Sequence, residues 1–213
     1  MEIIVVASQK GGSGKTTTTR SLAVLAQKTL GSTVIIDLDP QGSLTAWWNR
    51  REDQQPALVA FDIAEFTERM EQLEAAGIEY VFVDTPPSVH PEILDVMRKA
   101  TMIVVPVRPS PDDLDAVRDT LAMIEAAGAP FVFVLTQAKH RTRLQLSAVQ
   151  ALAQHGKLAP TVIHDRTDFP TTAISGQTVN EQEAASPSGR EVQDVLEYVM
   201  QQCRKYGNTA VVA

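Results

Sequence analysis

The sequence holds one cysteine, Cys203, in 213 residues. A single thiol excludes an internal disulfide and a four-cysteine metal centre, and a reducing, cytoplasmic home is the simplest expectation. No apolar run reaches the roughly 18 residues that a membrane helix needs. No basic segment with a cleavage site precedes the first apolar run, so a secretory signal is not expected. The four histidines, His90, His140, His155 and His164, show neither H-x-x-x-H nor H-E-x-x-H spacing, and no zinc site is expected. Positive charge is also scarce. A net charge of −7 argues against a general nucleic-acid binder. The shortage is uneven: between residues 138 and 166, Lys139, Arg141, Arg143, Lys157 and Arg166 face a single acid, Asp165, enough for a local basic patch.

What is present fits a globular domain with a sizeable core: 44% of residues are apolar and 21% charged. Short apolar runs alternate with helical patterns. Strands are expected at 3–7, 33–37, 80–84, 102–107, 131–136 and 161–164, and helices at 16–30, 62–76, 91–99, 112–127, 144–155 and 189–205. Glycines after Ala76, Ala127 and His155 read as helix stops. Alternation of this kind predicts an α/β fold, doubly wound, with a mainly parallel sheet and helices on both faces. There is no internal repeat. One domain is expected over residues 1–206, with 207–213 a frayed tail. Trp47 and Trp48 point different ways on a short helix, one expected in the core and the other a partly exposed cover, with partner binding as the alternative.

The first expected strand, Ile3 to Ala7, runs into Gln9-Lys10-Gly11-Gly12-Ser13-Gly14-Lys15-Thr16-Thr17, and a helical pattern follows. Glycines at a strand-to-helix turn let backbone N–H groups point inward at a phosphate chain, helped by the positive end of the helix. Lys15 is placed to reach the β- and γ-phosphates and Thr16 to ligate Mg²⁺. Gln9 stands where the strict G-x-x-x-x-G-K-[ST] pattern has its first glycine, and a second lysine, Lys10, comes five residues before Lys15.

Two further strand ends carry acids. The second gives Asp37-Leu38-Asp39-Pro40-Gln41-Gly42, and the third gives Tyr80-Val81-Phe82-Val83-Asp84-Thr85-Pro86-Pro87. Strand C-terminal ends line the ligand crevice of such sheets, and Asp84 at a strand tip can hold Mg²⁺. Loop, Asp-x-Asp and hhhhDTPP in this order resemble the ParA/MinD family of P-loop NTPases with a deviant Walker A motif. The region around Val104 to Asp113 resembles its short, partition-type branch, which lacks an N-terminal DNA-binding extension.

The resemblance implies the rest. ATP is the nucleotide, held by Lys10, Gly11, Gly12, Ser13, Gly14, Lys15, Thr16 and Thr17. Asp39 orients the attacking water, and Asp37 lies nearer the metal shell that Thr16 and Asp84 provide. Lys10 crosses a sandwich homodimer to the partner's ATP. The dimer binds nonspecific DNA, associates with the nucleoid, and is stimulated by a ParB-like protein or small DNA-binding adaptor, so that a plasmid, chromosome or other cargo is segregated. Arg166, after the sixth expected strand, matches a DNA-contacting position of relatives. Arg190 is a second candidate, because an arginine at a helix N-terminus is electrostatically misplaced. The loop Thr136 to Arg143 is either solvated or a phosphate-backbone contact, and Thr136 stands where many relatives have Asn. Asp112 or Asp113 is expected to cap the following helix. A MinD-type membrane-cycling ATPase is the alternative. Its C-terminal basic amphipathic helix is not matched by 192–205, which carries Asp194 and Glu197, so no membrane partner is expected.

Overall fold

The computed structural model describes residues 1–87 and 91–210, without the side chains of 207–210. His90 lies outside the described residues. Seven strands form one parallel sheet: β1 (Glu2–Val6), β2 (Thr33–Asp37), β3 (Ala57–Leu58), β4 (Tyr80–Asp84), β5 (Met102–Val107), β6 (Phe131–Ala138) and β7 (Ile163–His164). Their order is β3-β2-β4-β1-β5-β6-β7, and every pairing is parallel. The sheet reverses direction of growth on either side of β1, which places the first strand's C-terminal end at a crevice between outgoing loops.

The central strands are apolar at nearly every position because both of their faces are covered. In β1, Ile4 and Val6 pack with Leu22 and Leu25 of α1 (Lys15–Thr29) and with Val195 and Val199 of α9 (Pro187–Ala210). Ile3 and Val5 face the other core, built by α3 (Phe66–Ala75), α4 (Pro91–Arg98), α5 (Pro111–Ala127) and α6 (Arg143–Ala153). One strand feeding two cores is the doubly wound arrangement expected from the alternation.

Three short helices complete the first face: α2 (Ser43–Trp48), α7 (Asp168–Ile174) and α8 (Val179–Gln182). Trp47 is fully buried there, while Trp48 is half-buried and donates its indole N–H to the Pro56 carbonyl at 2.9 Å. The tryptophan pair thus divides as expected into core and cover.

Several local expectations change. The last strand covers only Ile163–His164, because a register shift between Thr136 and Ala138 leaves room for no longer ladder. The last helix runs on to Ala210, past the tail expected from Gly207, since extending an existing helix adds one hydrogen bond per residue without a new nucleation cost. Residues 211–213 lie outside the described residues. The N-cap of α5 is Ser110, whose hydroxyl accepts from the Asp113 N–H, so neither Asp112 nor Asp113 is the cap. Pro111 occupies the first turn, where no N–H is needed.

Candidate functional site

The turn after β1 wraps the N-terminus of α1. Gly12 and Gly14 have φ of 74° and 98°, a region that side-chain-bearing residues avoid. Two side chains from the end of β6 hold this turn. Thr136 Oγ1 donates to the Ser13 carbonyl at 2.7 Å, and Gln137 Nε2 donates to the Gly12 carbonyl at 2.8 Å. The Ser13 hydroxyl is buried with no hydrogen-bond partner among the described residues. Lys15 is buried and reaches back to the Lys10 carbonyl at 3.4 Å, so its ammonium sits over the turn's own backbone. Burial holds the Lys15 pKa below its usual value, against the pull of Asp84 and Asp39.

Asp84 ends β4 directly behind this turn and is fully buried. It accepts from Thr16 Oγ1 at 2.6 Å and from Thr19 Oγ1 at 3.4 Å. Burial raises its pKa to about 7, and the charge of Asp37 adds to this, while the Thr16 hydrogen bond and Lys15 oppose it. A buried carboxyl with two acids near it and a hydroxyl in contact is an oxygen-donor set short of positive charge. Thr16 and Asp84 therefore suit a hard divalent cation such as Mg²⁺.

Asp37 and Asp39 have separate local tasks. Asp37 Oδ2 accepts from the N–H and the hydroxyl of Thr45 at 2.8 and 2.9 Å, tying the loop to α2. Asp39 accepts from the Gln41 N–H at 3.0 Å and lines a cleft of about 630 Å³ with Gly11, Gly12, Lys15, Thr16 and Thr17. A second cavity of about 310 Å³ adjoins it, sharing Gly14, Thr17 and Arg20, and is closed by Thr136, His164, Arg166 and Phe169. The two together offer a basic, N–H-rich chamber beside a partly apolar one, as a nucleotide's phosphates and base require.

Three residues that motif reading passed over belong here. Arg20 is buried on α1 between the two cavities, and burial, with repulsion from Arg50, lowers its pKa to about 10. Arg108 lies 3.4 Å from where a Gly12 Cβ would stand. It is gripped by Asp113 at 2.9 and 3.0 Å. Burial alone would raise the Asp113 pKa, but the Arg108 and Ser110 hydrogen bonds bring it below the usual value. Gln137 is the third; its φ of 51° aims the amide at the turn. A buried charge inside an amphipathic helix was the one sequence signal available, and it marks Arg20 alone.

Lys10 and Gly11 stand apart from the rest. No hydrogen bond or ion pair of the Lys10 ammonium occurs among the described residues, although its charge reaches Asp113. Gly11 is exposed, has no positive φ, and has nothing among the described residues within 4 Å of a would-be Cβ. The two DNA candidates are engaged differently. Arg166 is bound to Glu191, whereas Arg190 is exposed and donates to the Ala185 carbonyl. Arg190 is the fourth residue of α9, in its first turn, where a positive charge opposes the helix dipole.

A glycine turn on a helix N-terminus, a lysine over it and a Thr–Asp pair behind it, at the switch point of a parallel sheet, define a P-loop NTPase. The family model for the CobQ/CobB/MinD/ParA nucleotide binding domain matches residues 4–179, and the chain belongs to that family. The maintenance of carboxysome distribution protein A of Halothiobacillus neapolitanus is 30% identical, over 83% of this chain and 85% of that protein. The chromosome-partitioning ATPase Soj of Thermus thermophilus is 27% identical, over 92% and 94%. Among solved structures, the MinC:MinD cell division protein complex of Aquifex aeolicus matches with a TM-score of 0.78 at 17% identity, covering 94% of this chain and 96% of that one. A putative plasmid partition protein of Borrelia burgdorferi bound to AMPPNP matches at 0.76, also at 17% identity, over 94% and 99%. The resemblance read from the motifs holds at the level of the family and the fold. No helix among the described residues is long and apolar enough to cross a membrane.

Proposed function

We propose that this chain is an ATP-driven positioning ATPase of the partition type. ATP fills the two adjoining cavities, its phosphates on the turn at 11–17 and its base beside Thr136 and His164. Thr16 and Asp84 would hold Mg²⁺, with Asp37 close by, and a bound cation would favour the ionised form of Asp84 against the burial that raises its pKa. Asp39 orients the water that attacks the γ-phosphate. Lys15 serves the phosphates of its own chain, and Lys10 serves those of a second copy in a face-to-face homodimer.

The observation that carries this reading is the pair Lys10 and Gly11. Gly11 is required neither by backbone conformation nor by any neighbour among the described residues. Lys10 spends its ammonium on no hydrogen bond among the described residues. Both features acquire a use when another molecule approaches closely. Two ATP molecules face to face carry several negative charges, and a cation from each side offsets the repulsion. The closed dimer binds nonspecific DNA and a ParB-like or small DNA-binding adaptor stimulates hydrolysis. The cargo is a plasmid, a chromosome locus or another body, carboxysomes being the one named by the Halothiobacillus relative.

Sedimentation of Lys10→Ala with a non-hydrolysable ATP analogue tests the dimer. The variant is expected to bind the analogue, stay monomeric and lose turnover. A Lys10→Ala protein that shifts from monomer to dimer like the parent removes the sandwich from this reading.

A further inference from the structure

Beside the base cavity, and sharing His164 with its wall, lies a cluster that the phosphate chemistry does not use. It gathers His140 from the loop after β6, His164 from the end of β7, and Glu191 from the second turn of α9. Parallel pairing brings the two histidines together: Ala138 is in register with His164, and the Asp165 N–H donates to the Ala138 carbonyl at 3.0 Å. Their rings stack with centroids 3.5 Å apart and planes 11° from parallel. Glu191 Oε1 is 2.8 Å from His164 Nδ1, and Oε2 accepts from the His164 backbone N–H at 3.0 Å. One ligand atom from each of the three residues lies within 4.8 Å of the others.

Arg166 shows what this space accepts. Its Nη2 sits between Glu191 Oε1, at 2.6 Å, and His140 Nε2, at 3.0 Å. A positively charged donor therefore bridges a carboxylate oxygen and an imidazole lone pair. Guanidinium has no lone pair to offer, so the His140 Nε2 in that contact is the acceptor, and the ring is neutral.

We infer that His140, His164 and Glu191 form a site for a borderline transition-metal ion such as Zn²⁺, and that the ion takes the place of the Arg166 guanidinium. Two imidazole nitrogens and one carboxylate oxygen are a zinc ligand set with room for a further ligand. The same set is poor for Mg²⁺, which prefers oxygen donors, so this site and the Thr16–Asp84 site select different ions. Tetrahedral zinc with bonds near 2.1 Å needs ligand atoms about 3.4 Å apart. The separations here run up to 4.8 Å, and an imidazole binds a metal in the plane of its ring, so the exposed His140 ring must turn out of its stack on His164. Arg166 and the ion compete for one carboxylate. Binding of metal frees the arginine at the rim of the base cavity, and removal of metal lets Glu191 take it back. The site needs neither the dimer nor the DNA reading proposed above.

Calorimetric titration of the full, tag-free chain with ZnCl₂, without nucleotide and with Mg²⁺ in excess, tests the inference. One saturable site is expected. His140→Ala, an exposed change that leaves the core untouched, should weaken it by about tenfold or more, as should Glu191→Gln. Arg166→Ala should tighten it, because the competing cation is gone. Co²⁺ in place of Zn²⁺ should give the visible absorption of a tetrahedral centre, absent in His140→Ala. Absence of saturable binding, binding unchanged in His140→Ala, or a weaker site in Arg166→Ala would each overturn the assignment.

Discussion

Gly11→Ala should move two measurements in opposite directions. A methyl group at Gly11 meets no atom of the described residues within 4 Å, and no left-handed backbone forbids it. Replacing glycine by alanine at such a position restricts the unfolded chain and stabilises the fold by about 0.4–1 kcal/mol. For a domain of this size that raises the melting temperature by about 1–4 °C. In a two-fold dimer the added methyl appears twice at the contact, and overpacking costs about 1–3 kcal/mol at each copy. The dimer constant should then weaken by at least about tenfold. Thermal melting of the nucleotide-free protein and sedimentation with an ATP analogue read the two effects separately. Gly12→Ala is the internal contrast. With φ of 74° and Arg108 beside it, the substitution should lower the melting temperature of the nucleotide-free protein. If Gly11→Ala melts below the parent, or dimerises as readily, the claim that this glycine serves an external contact is wrong.

Asp39→Ala should bind ATP near parental affinity and turn it over far more slowly, with the ATP-bound dimer accumulating; parental turnover in a phosphate-release assay would remove Asp39 from the chemistry. Arg51→Ala should be severe, because Arg51 is buried in two hydrogen bonds to Glu181, at 3.1 and 2.8 Å, and lies over the Trp47 ring. Leaving Glu181 without its counter-charge, held only by the N–H and hydroxyl of Thr178, costs about 3–5 kcal/mol, read by denaturant unfolding near pH 7. Burial alone would raise the Glu181 pKa, but its Arg51 bonds bring it below the usual value, so the pair's contribution is complete above that usual value and fades as pH falls through the lowered one. The gap between parent and Arg51→Ala should therefore narrow in acid; a gap that widens there would contradict the assignment.

How much of this was legible depended on sequence distance. β2, β4 and β5 were placed to the residue because strands buried on both faces read as apolar runs, closed by Asp37 and Asp84 in the first two and by Arg108 just after the third. The turn at 9–17 was legible because its chemistry is contiguous. β3, with two residues, is too short to carry a pattern. α8 did leave a mark, the Thr178–Glu181 capping box, which a scan for long periodic segments passes over. The cluster around Glu191 had no such mark. His140, His164, Arg166 and Glu191 are scattered over β7, α9 and two loops, and only the β6–β7 register and the docking of α9 bring them within reach. The same applies to Asp113, which looks like a cap in one dimension and proves to be the grip on Arg108.

The two bonds from β6 to the turn carry a kinetic consequence. Thr136 and Gln137 hold the carbonyls of Ser13 and Gly12, so those oxygens are already turned away from the space an anion would enter. The adjoining amides need not be reoriented when a phosphate arrives. Gln137 adopts a left-handed backbone to make its bond, a conformation worth about 1–2 kcal/mol in strain. That strain is present before any ligand is bound, so it is absent from the binding step. A cradle fixed in advance should capture nucleotide at a rate set by encounter, leaving affinity to be tuned through release.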